Sequence, residues 1–597
     1  MKTTTTTARK ASATRAPAAR KATARHSGKT AKPAKAAATP SLPATLAAAD
    51  APLVSTELKR TPLRLSASLR ALAGALVRQP RKAARAVRRG VGELAQVLRG
   101  KSAIEPAAGD RRFDDPAWRD NALYRRWMQA HLALAREVHQ LVGELELSPR
   151  DQARARMVAG MVADTLAPTN LLLGNPAALK RTIDTGGSNL LQGARQLIDD
   201  WRHNGGLPAS VDQSKFKVGG NLATTPGDVV LRSEQLELIQ YRPQTSEVRG
   251  TPLFIVPPQI NKYYVWDLAP GRSLIEFLVQ QGYTVFVVSW FNPTAAQAGW
   301  GLATYVLALE DAMRVARSIT RSPQLHLLGA CSGGITASAL LAHLAAQGLD
   351  WARSLTLLVA IIDIEGVADS SMGLFAHLET LDLARTLSGA RGVLEGQDLA
   401  KVFAWLRPNE LIFNYWVNNY LMGQKPAAFD VLSWNADTTR LPARLHADFI
   451  ALMETNAFTQ PGGVTIAGQP LDLRDVHCDS YILAGRTDHI TPWQGCYRTR
   501  ALLGGKSEFV LSSSGHIQAI VNPLTNKKAA FATNGGAHDT PEAFEAGATM
   551  HEGTWWPHLA AWLAARSDAD QRAPRQAGSK AHPALCAAPG TYVLQRS

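Results

Sequence analysis

The sequence predicts an α/β protein, with a mostly parallel sheet covered by helices on both faces. Apolar runs at 253–256, 284–290, 325–328, 355–362, 481–484 and 508–511 alternate with helical stretches such as 272–281, 302–319 and 335–346. Runs that are apolar on both faces are strands buried between helix layers, which is how parallel sheets are built. The rhythm stops between Asp363 and Asp475, where a segment rich in Trp, Phe, Tyr and Asn intervenes. An insertion between two sheet strands is expected to cap the pocket at that end of the sheet.

Taken in order, 1–57 is expected to be a disordered basic tail and 58–205 a helical N-terminal domain. Residues 206–365 form the first part of the sheet domain, 366–475 the cap and 476–570 the second part, with 571–597 as an extension. Residues 1–48 contain no Phe, Tyr or Trp and no periodic apolar face, so they cannot bury enough surface to fold. Residues 58–98 turn amphipathic and basic, broken at Pro80, and suit an interface with an apolar phase or their own protein. Helices are expected at 118–145, 149–166 and 190–201, ended by Gly205-Gly206 and Pro208. The stretch Leu236–Tyr241 reads as an edge strand and 508–511 as the last strand.

The chain has 597 residues and a formal net charge of +16, but the charge is local. Residues 1–100 carry 21 Lys and Arg against 3 Asp and Glu, leaving 44 against 46 in the rest. The globular body is therefore close to neutral. The tail suits weak contact with nucleic acid, an anionic surface or another protein, or none, and its composition also imitates a transit peptide. Four scattered cysteines without CxxC spacing argue against a disulfide framework or a metal site and for a reducing, intracellular setting. No run has the length of a membrane span and no apolar core follows the basic N-terminus, so neither a span nor a secretory signal is expected.

The chemistry centres on Gly329-Ala330-Cys331-Ser332-Gly333-Gly334, between the 325–328 run and a helical stretch. Gly-x-nucleophile-x-Gly in a strand–turn–helix context is the elbow of the α/β-hydrolase fold, here with cysteine as nucleophile. The turn places the sulfur at a helix N-terminus, which favours thiolate over thiol. In that fold the order is nucleophile, acid, histidine. Asp488 follows the 481–484 strand and is the candidate acid, and His516 in Gly515-His516-Ile517 is the candidate base. His489 is the rival base and Asp363 the rival acid. The oxyanion donors are expected to be the backbone N–H of Ser332 and one from Gln259-Ile260-Asn261, taken as Ile260. Ser332 enters by its backbone, with no role required of its hydroxyl. A thiolate that attacks a thioester keeps the acyl group activated, which favours transfer to an alcohol over plain ester hydrolysis.

Together the elbow, Pro257-Pro258-Gln259-Ile260-Asn261-Lys262-Tyr263-Tyr264, Arg407-Pro408-Asn409-Glu410, Trp434-Asn435 with Asp437-Thr438-Thr439-Arg440-Leu441-Pro442, Asp488-His489 and Gly515-His516-Ile517 resemble bacterial polyhydroxyalkanoate synthases. The Gly-Ala-Cys-Ser-Gly-Gly form is most similar to the class II enzymes, which take medium-chain monomers. The likeness runs from about residue 60 through Gly590-Thr591-Tyr592-Val593. It implies Cys331 as acyl carrier, His516 as base and Asp488 as acid, (R)-3-hydroxyacyl-CoA as donor, and polyester and free CoA as products. It also implies no resident cofactor or metal, a homodimer, and a cytoplasmic location on polyester granules. Arg407 is a candidate for CoA phosphate or a structural salt bridge. Trp434, Phe413, Tyr415 and Trp416 are candidates for an acyl channel or for cap packing. The rival activity is a cysteine-nucleophile thioesterase or esterase. A non-enzymatic rival is a granule- or nucleoid-tethering factor acting through the tail.

Overall fold

The computed structural model describes residues 65–367, 373, 378–536 and 539–596, so the expected tail lies outside the described residues. The main sheet has eleven strands. In chain order they are β1 Gly227–Arg232, β2 Leu236–Tyr241, β3 Leu253–Val256, β4 Val285–Trp290, β5 Leu325–Ala330 and β6 Ala352–Leu358. After the insertion come β7 Asp479–Gly485, β8 Ser507–Ser512, β9 Ala530–Thr533, β10 Thr549–Glu552 and β11 Cys586–Ala587. Their spatial order is β10-β9-β8-β7-β6-β5-β3-β4-β2-β1-β11.

The six strands β3 to β8 run parallel, in register pairs such as Phe254 with Leu327 and Ile482 with Leu357. Side chains alternate between two cores. Leu325 and Leu327 face the core shared with the helices Leu302–Thr320 and Ser332–Ala346. Leu328 and Ala330 face the core shared with Leu274–Gln280 and Trp556–Ala564. Strands paired on both sides and covered on both faces must be apolar throughout, which is why their runs are continuous.

The expected sheet margin is corrected at both ends. β2 is not an edge strand: it pairs antiparallel with both β1 and β4 and is buried throughout. β8 is not the last strand, because β9 and β10 continue the sheet antiparallel beyond it. The true edges are the two-residue β11 and the largely exposed β10, and short or polar edges limit unwanted pairing.

Helices Leu65–Arg78, Pro80–Leu98, Ala122–Glu144, Pro149–Thr165, Pro176–Asp184 and Ser188–His203 precede the sheet. Their starts are encoded locally. Proline stands in the first turn of three of them, at Pro80, Pro149 and Pro176, and the side chains of Asn121, Ser148 and Asn175 accept from first-turn N–H groups. Between β6 and β7 lie Leu378–Arg391, Gly396–Trp405, the π-helical turns Asn409–Phe413 and Trp416–Leu421, Asp430–Ala436 and Ala443–Thr455. The Ser188–His203 helix grips this insertion. Asn189 Nδ2 donates to Leu421 O at 2.7 Å, and Tyr420 donates its hydroxyl to Asp200 Oδ2 at 2.8 Å. No described helix is long and apolar enough to cross a membrane.

Candidate active site

β5 ends at Ala330, and Cys331 turns the chain into the Ser332–Ala346 helix with φ 47° and ψ −124°. A non-glycine residue held there is strained, and such strain persists only where packing over-determines it. The three glycines supply that packing through absence of bulk. A Cβ on Gly329 would lie 2.8 Å from Gly333 O, one on Gly333 2.5 Å from Val256 O, and one on Gly334 2.6 Å from Ala360 Cβ. The close approach of β3, β5 and β6 to the turn is what requires them.

The other two expected residues come from the next strand ends. Asp488 follows β7, and His516 opens the short helix His516–Ile520 after β8. Parallel pairing of β7 with β8 brings them together, with Asp488 Oδ2 at 2.6 Å from His516 Nδ1. Thr491 Oγ1 donates to Asp488 Oδ2 at 2.6 Å and sits 3.0 Å from His516 Nδ1. Asp488 Oδ1 accepts the backbone N–H groups of Ile490 and Thr491 at 2.8 and 2.9 Å. Thr491 escaped the sequence reading. Its signal is Asp-x-x-Thr in a turn, where an Asp side chain folds back onto the following amides.

Burial alone would lower the His516 pKa, but the charge and hydrogen bond of Asp488, with a smaller contribution from Cys331, raise it to about 10. Burial pushes Asp488 up, but His516 and the hydrogen bonds from Thr491 hold it below the ordinary carboxylate value. His516 also interacts with the Cys331 side chain. The rivals take no part in this hydrogen bonding. Asp363 Oδ1 accepts from Asn456 Nδ2 at 2.8 Å and from Glu365 N at 3.0 Å. His489 Nδ1 is buried with no hydrogen-bond partner among the described residues.

Cys331 opens into a cavity of about 490 Å³ between the sheet and the insertion. Ile335, Ile362, Phe403, Phe449 and Leu452 are among its apolar walls, and Ile260, Ser332 and Thr491 line it together with Cys331. The residues offered either for an acyl channel or for cap packing do not line it. Trp434 is buried and donates its indole N–H to Lys262 O at 2.7 Å. Trp416 donates to Asn170 O at 3.1 Å, and Phe413 packs edge-on against Trp405. Tyr415 is likewise absent from the walls. Arg407 is also outside the cavity, with Nη2 donating to Glu410 Oε1 at 2.7 Å. Ser332 differs from expectation as well. Its hydroxyl is engaged, accepting Gln259 N–H at 3.3 Å and tying the elbow to the loop after β3.

Residues 109–278 match the family described as "Poly-beta-hydroxybutyrate polymerase (PhaC) N-terminus", and residues 252–523 match the alpha/beta hydrolase fold. The chain is 48% identical over 532 residues to poly(3-hydroxyalkanoate) polymerase 1 of Ectopseudomonas oleovorans, covering 89% of this chain and 95% of that protein. It is 46% identical to polymerase 2 of the same organism, covering 85% of this chain and 90% of that protein. It is 39% identical to the poly(3-hydroxyalkanoate) polymerase subunit PhaC of Cupriavidus necator, covering 83% and 85%. With an α/β-hydrolase sheet, a cysteine elbow and near-complete alignment to these proteins, the chain belongs to the poly(3-hydroxyalkanoate) polymerase family.

Proposed function

We propose that the protein polymerises (R)-3-hydroxyacyl-CoA into polyester through a thioester on Cys331. The observation that carries the reading is that Cys331 lines an apolar cavity and lies near enough to His516, itself held by the buried Asp488, to help raise its pKa. With the thiol proton resting on His516, whose charge Asp488 balances, the Cys331 sulfur attacks the thioester carbonyl. The backbone N–H groups of Ile260 and Ser332 take the developing oxyanion. The carbon–sulfur bond to CoA breaks, CoA leaves as the thiol with the proton from His516, and the acyl group remains on Cys331 beside a neutral imidazole. The 3-hydroxyl of a monomer or chain then loses its proton to His516 and attacks a Cys331 thioester. That forms one ester bond and breaks one thioester bond.

Asp488 holds the imidazole in orientation and balances its charge through both steps, as the raised His516 pKa supports. The apolar walls disfavour water as the acceptor, which separates polymerisation from thioester hydrolysis. The N-terminal helices, and the turn before Pro176, leave Val77, Leu98, Leu123, Leu173, Ile183 and Trp201 exposed. An apolar surface of that kind supports contact with the nascent polyester granule.

Incubation with purified 3-hydroxyacyl-CoA thioesters, with free CoA and products both quantified, tests the reading. Insoluble polyester accompanying CoA release supports it. Free 3-hydroxy acid in stoichiometric amount with CoA would make the protein a thioesterase instead.

A further inference from the structure

The loop that carries Ile260 is held from two sides. On the elbow side, Ser332 Oγ accepts Gln259 N–H at 3.3 Å, and Gln259 Nε2 donates to Thr336 Oγ1 at 2.8 Å. On the insertion side, three carbonyls of the loop are each taken by a donor from residues 434–439. Thr439 Oγ1 donates to Gln259 O at 2.6 Å, Thr439 N to Ile260 O at 3.0 Å, and Trp434 Nε1 to Lys262 O at 2.7 Å. Asn261, between them, forms an isolated antiparallel bridge with Thr438. Lys262 Nζ pairs with Asp437 Oδ1 at 2.7 Å, and the other Asp437 oxygen accepts the Tyr264 hydroxyl at 2.9 Å.

The Gln259 carbonyl and the Ile260 N–H belong to one peptide unit. That unit is planar, so whatever fixes the direction of the carbonyl fixes the direction of the N–H. Thr439 Oγ1 is 2.6 Å from that carbonyl and buried. A donor aimed at a developing oxyanion loses most of its effect when displaced by a fraction of a bond length. Gly396 lets the rest of the insertion pack closely behind Thr438 and Thr439, because a Cβ there would lie 2.5 Å from Thr438 Cβ.

We infer that Thr439 and Trp434 are positioning residues that aim the Ile260 N–H, making the seating of residues 434–439 a condition for stabilising the oxyanion. The inference rests on the oxyanion role proposed for Ile260. Neither residue touches the sulfur, the imidazole or the carboxylate through any hydrogen bond described above. Their loss therefore spares the Cys331–His516 pair and impairs only attack on a carbonyl.

Two reactions of the same sulfur separate these effects. Alkylation of Cys331 by iodoacetamide is a displacement at saturated carbon and uses no oxyanion donor, whereas CoA release from a 3-hydroxyacyl-CoA does. For full-length Thr439→Val, kcat for CoA release is expected to fall by about 10- to 100-fold with little change in KM, less than the roughly 10²- to 10³-fold lost when an oxyanion donor is removed outright. The alkylation rate is expected to stay within about twofold, and Thr439→Ser, which keeps the hydroxyl, to restore kcat. Should Thr439→Val fail to fold, Trp434→Phe removes only the indole donor and is expected to show the same split. A kcat retained within about twofold, alkylation falling together with kcat, or no rescue by serine would each overturn the inference. In the same assay, alkylated wild-type protein is expected to release no CoA. If it still does, the acyl-Cys331 reading itself is what fails.

Discussion

His516 Nδ1 lies 2.6 Å from Asp488 Oδ2, an oxygen that also accepts the Thr491 hydroxyl at 2.6 Å. The carboxylate is thus fully engaged, with two backbone N–H groups on its other oxygen, and the imidazole is held with Nδ1 on the carboxylate. Replacing His516 by Gln removes the proton acceptor, and CoA release is expected to fall by about 10² to 10⁴-fold. Steady-state CoA release from one fixed substrate measures it.

The same pair makes stability depend on pH. Its pKa raised from 6.5 to about 10, His516 contributes stability that is complete below pH 6.5 and lost as pH rises through about 10. Asp488, held below 3.8, contributes stability that is complete above pH 3.8 and lost as pH falls further. The difference in denaturation midpoint between wild type and His516→Gln is therefore expected to be widest between about pH 4 and 6.5 and to close towards pH 10. A gap that widened from pH 7 to 10 would contradict the assignment.

Gly333→Ala would place a Cβ 2.5 Å from Val256 O and 2.6 Å from the Pro257 carbonyl carbon. Neither backbone atom can move without shifting the loop that leads to Ile260. A loss of about 1–3 kcal/mol in chemical denaturation is expected, as for overpacking elsewhere, with CoA release falling further than stability alone explains.

Two glycines of the N-terminal helices should respond in opposite directions. A Cβ on Gly193 would run into the Tyr420 backbone carbonyl, whereas one on Gly92 meets nothing within 4 Å. Gly92→Ala is expected to stabilise by about 0.5–1 kcal/mol through helix propensity. Gly193→Ala is expected to destabilise and to loosen residues 409–425. Limited proteolysis with site mapping distinguishes the two, since cleavage in that stretch should rise only in the Gly193 variant.

Ile335, one turn into the elbow helix, borders both the cavity and the core. Enlarging it to Phe removes space beside the sulfur. The preference for longer over shorter 3-hydroxyacyl-CoA substrates is expected to fall about fourfold per methylene excluded, from a burial value of about 0.8 kcal/mol per CH₂. Competition between two chain lengths, read from polymer composition, gives the ratio.

The sequence exposes some of these features and conceals others for physical reasons. The elbow is visible because its close approaches demand glycine at fixed spacing, and β5, β7 and β8 because double-sided burial demands continuous apolar runs. The outer strand β1, and the interior place of β2, are disguised by buried polar residues whose partners only the fold brings together. Glu237, fully buried, accepts from Arg232, Thr591 and Tyr592, and Asp228 pairs with Arg242 at 2.8 Å. Such residues read as solvent-facing until the partners are known. Trp434 illustrates the same limit from the other side. An aromatic residue in a cap segment suggests a pocket wall, but its indole N–H serves the Lys262 carbonyl, a role set by tertiary contact alone.

Peptide-resolved mass spectrometry of the protein, quenched in acid during turnover with a 3-hydroxyacyl-CoA, tests the covalent role of Cys331 most directly. The expected result is a hydroxyacyl mass increment on the peptide containing Cys331, absent from Cys331→Ala, which should also keep its fold and lose CoA release. Polymer made by Cys331→Ala at the wild-type rate, or an acyl increment confined to Cys478, Cys496 or Cys586, would contradict it.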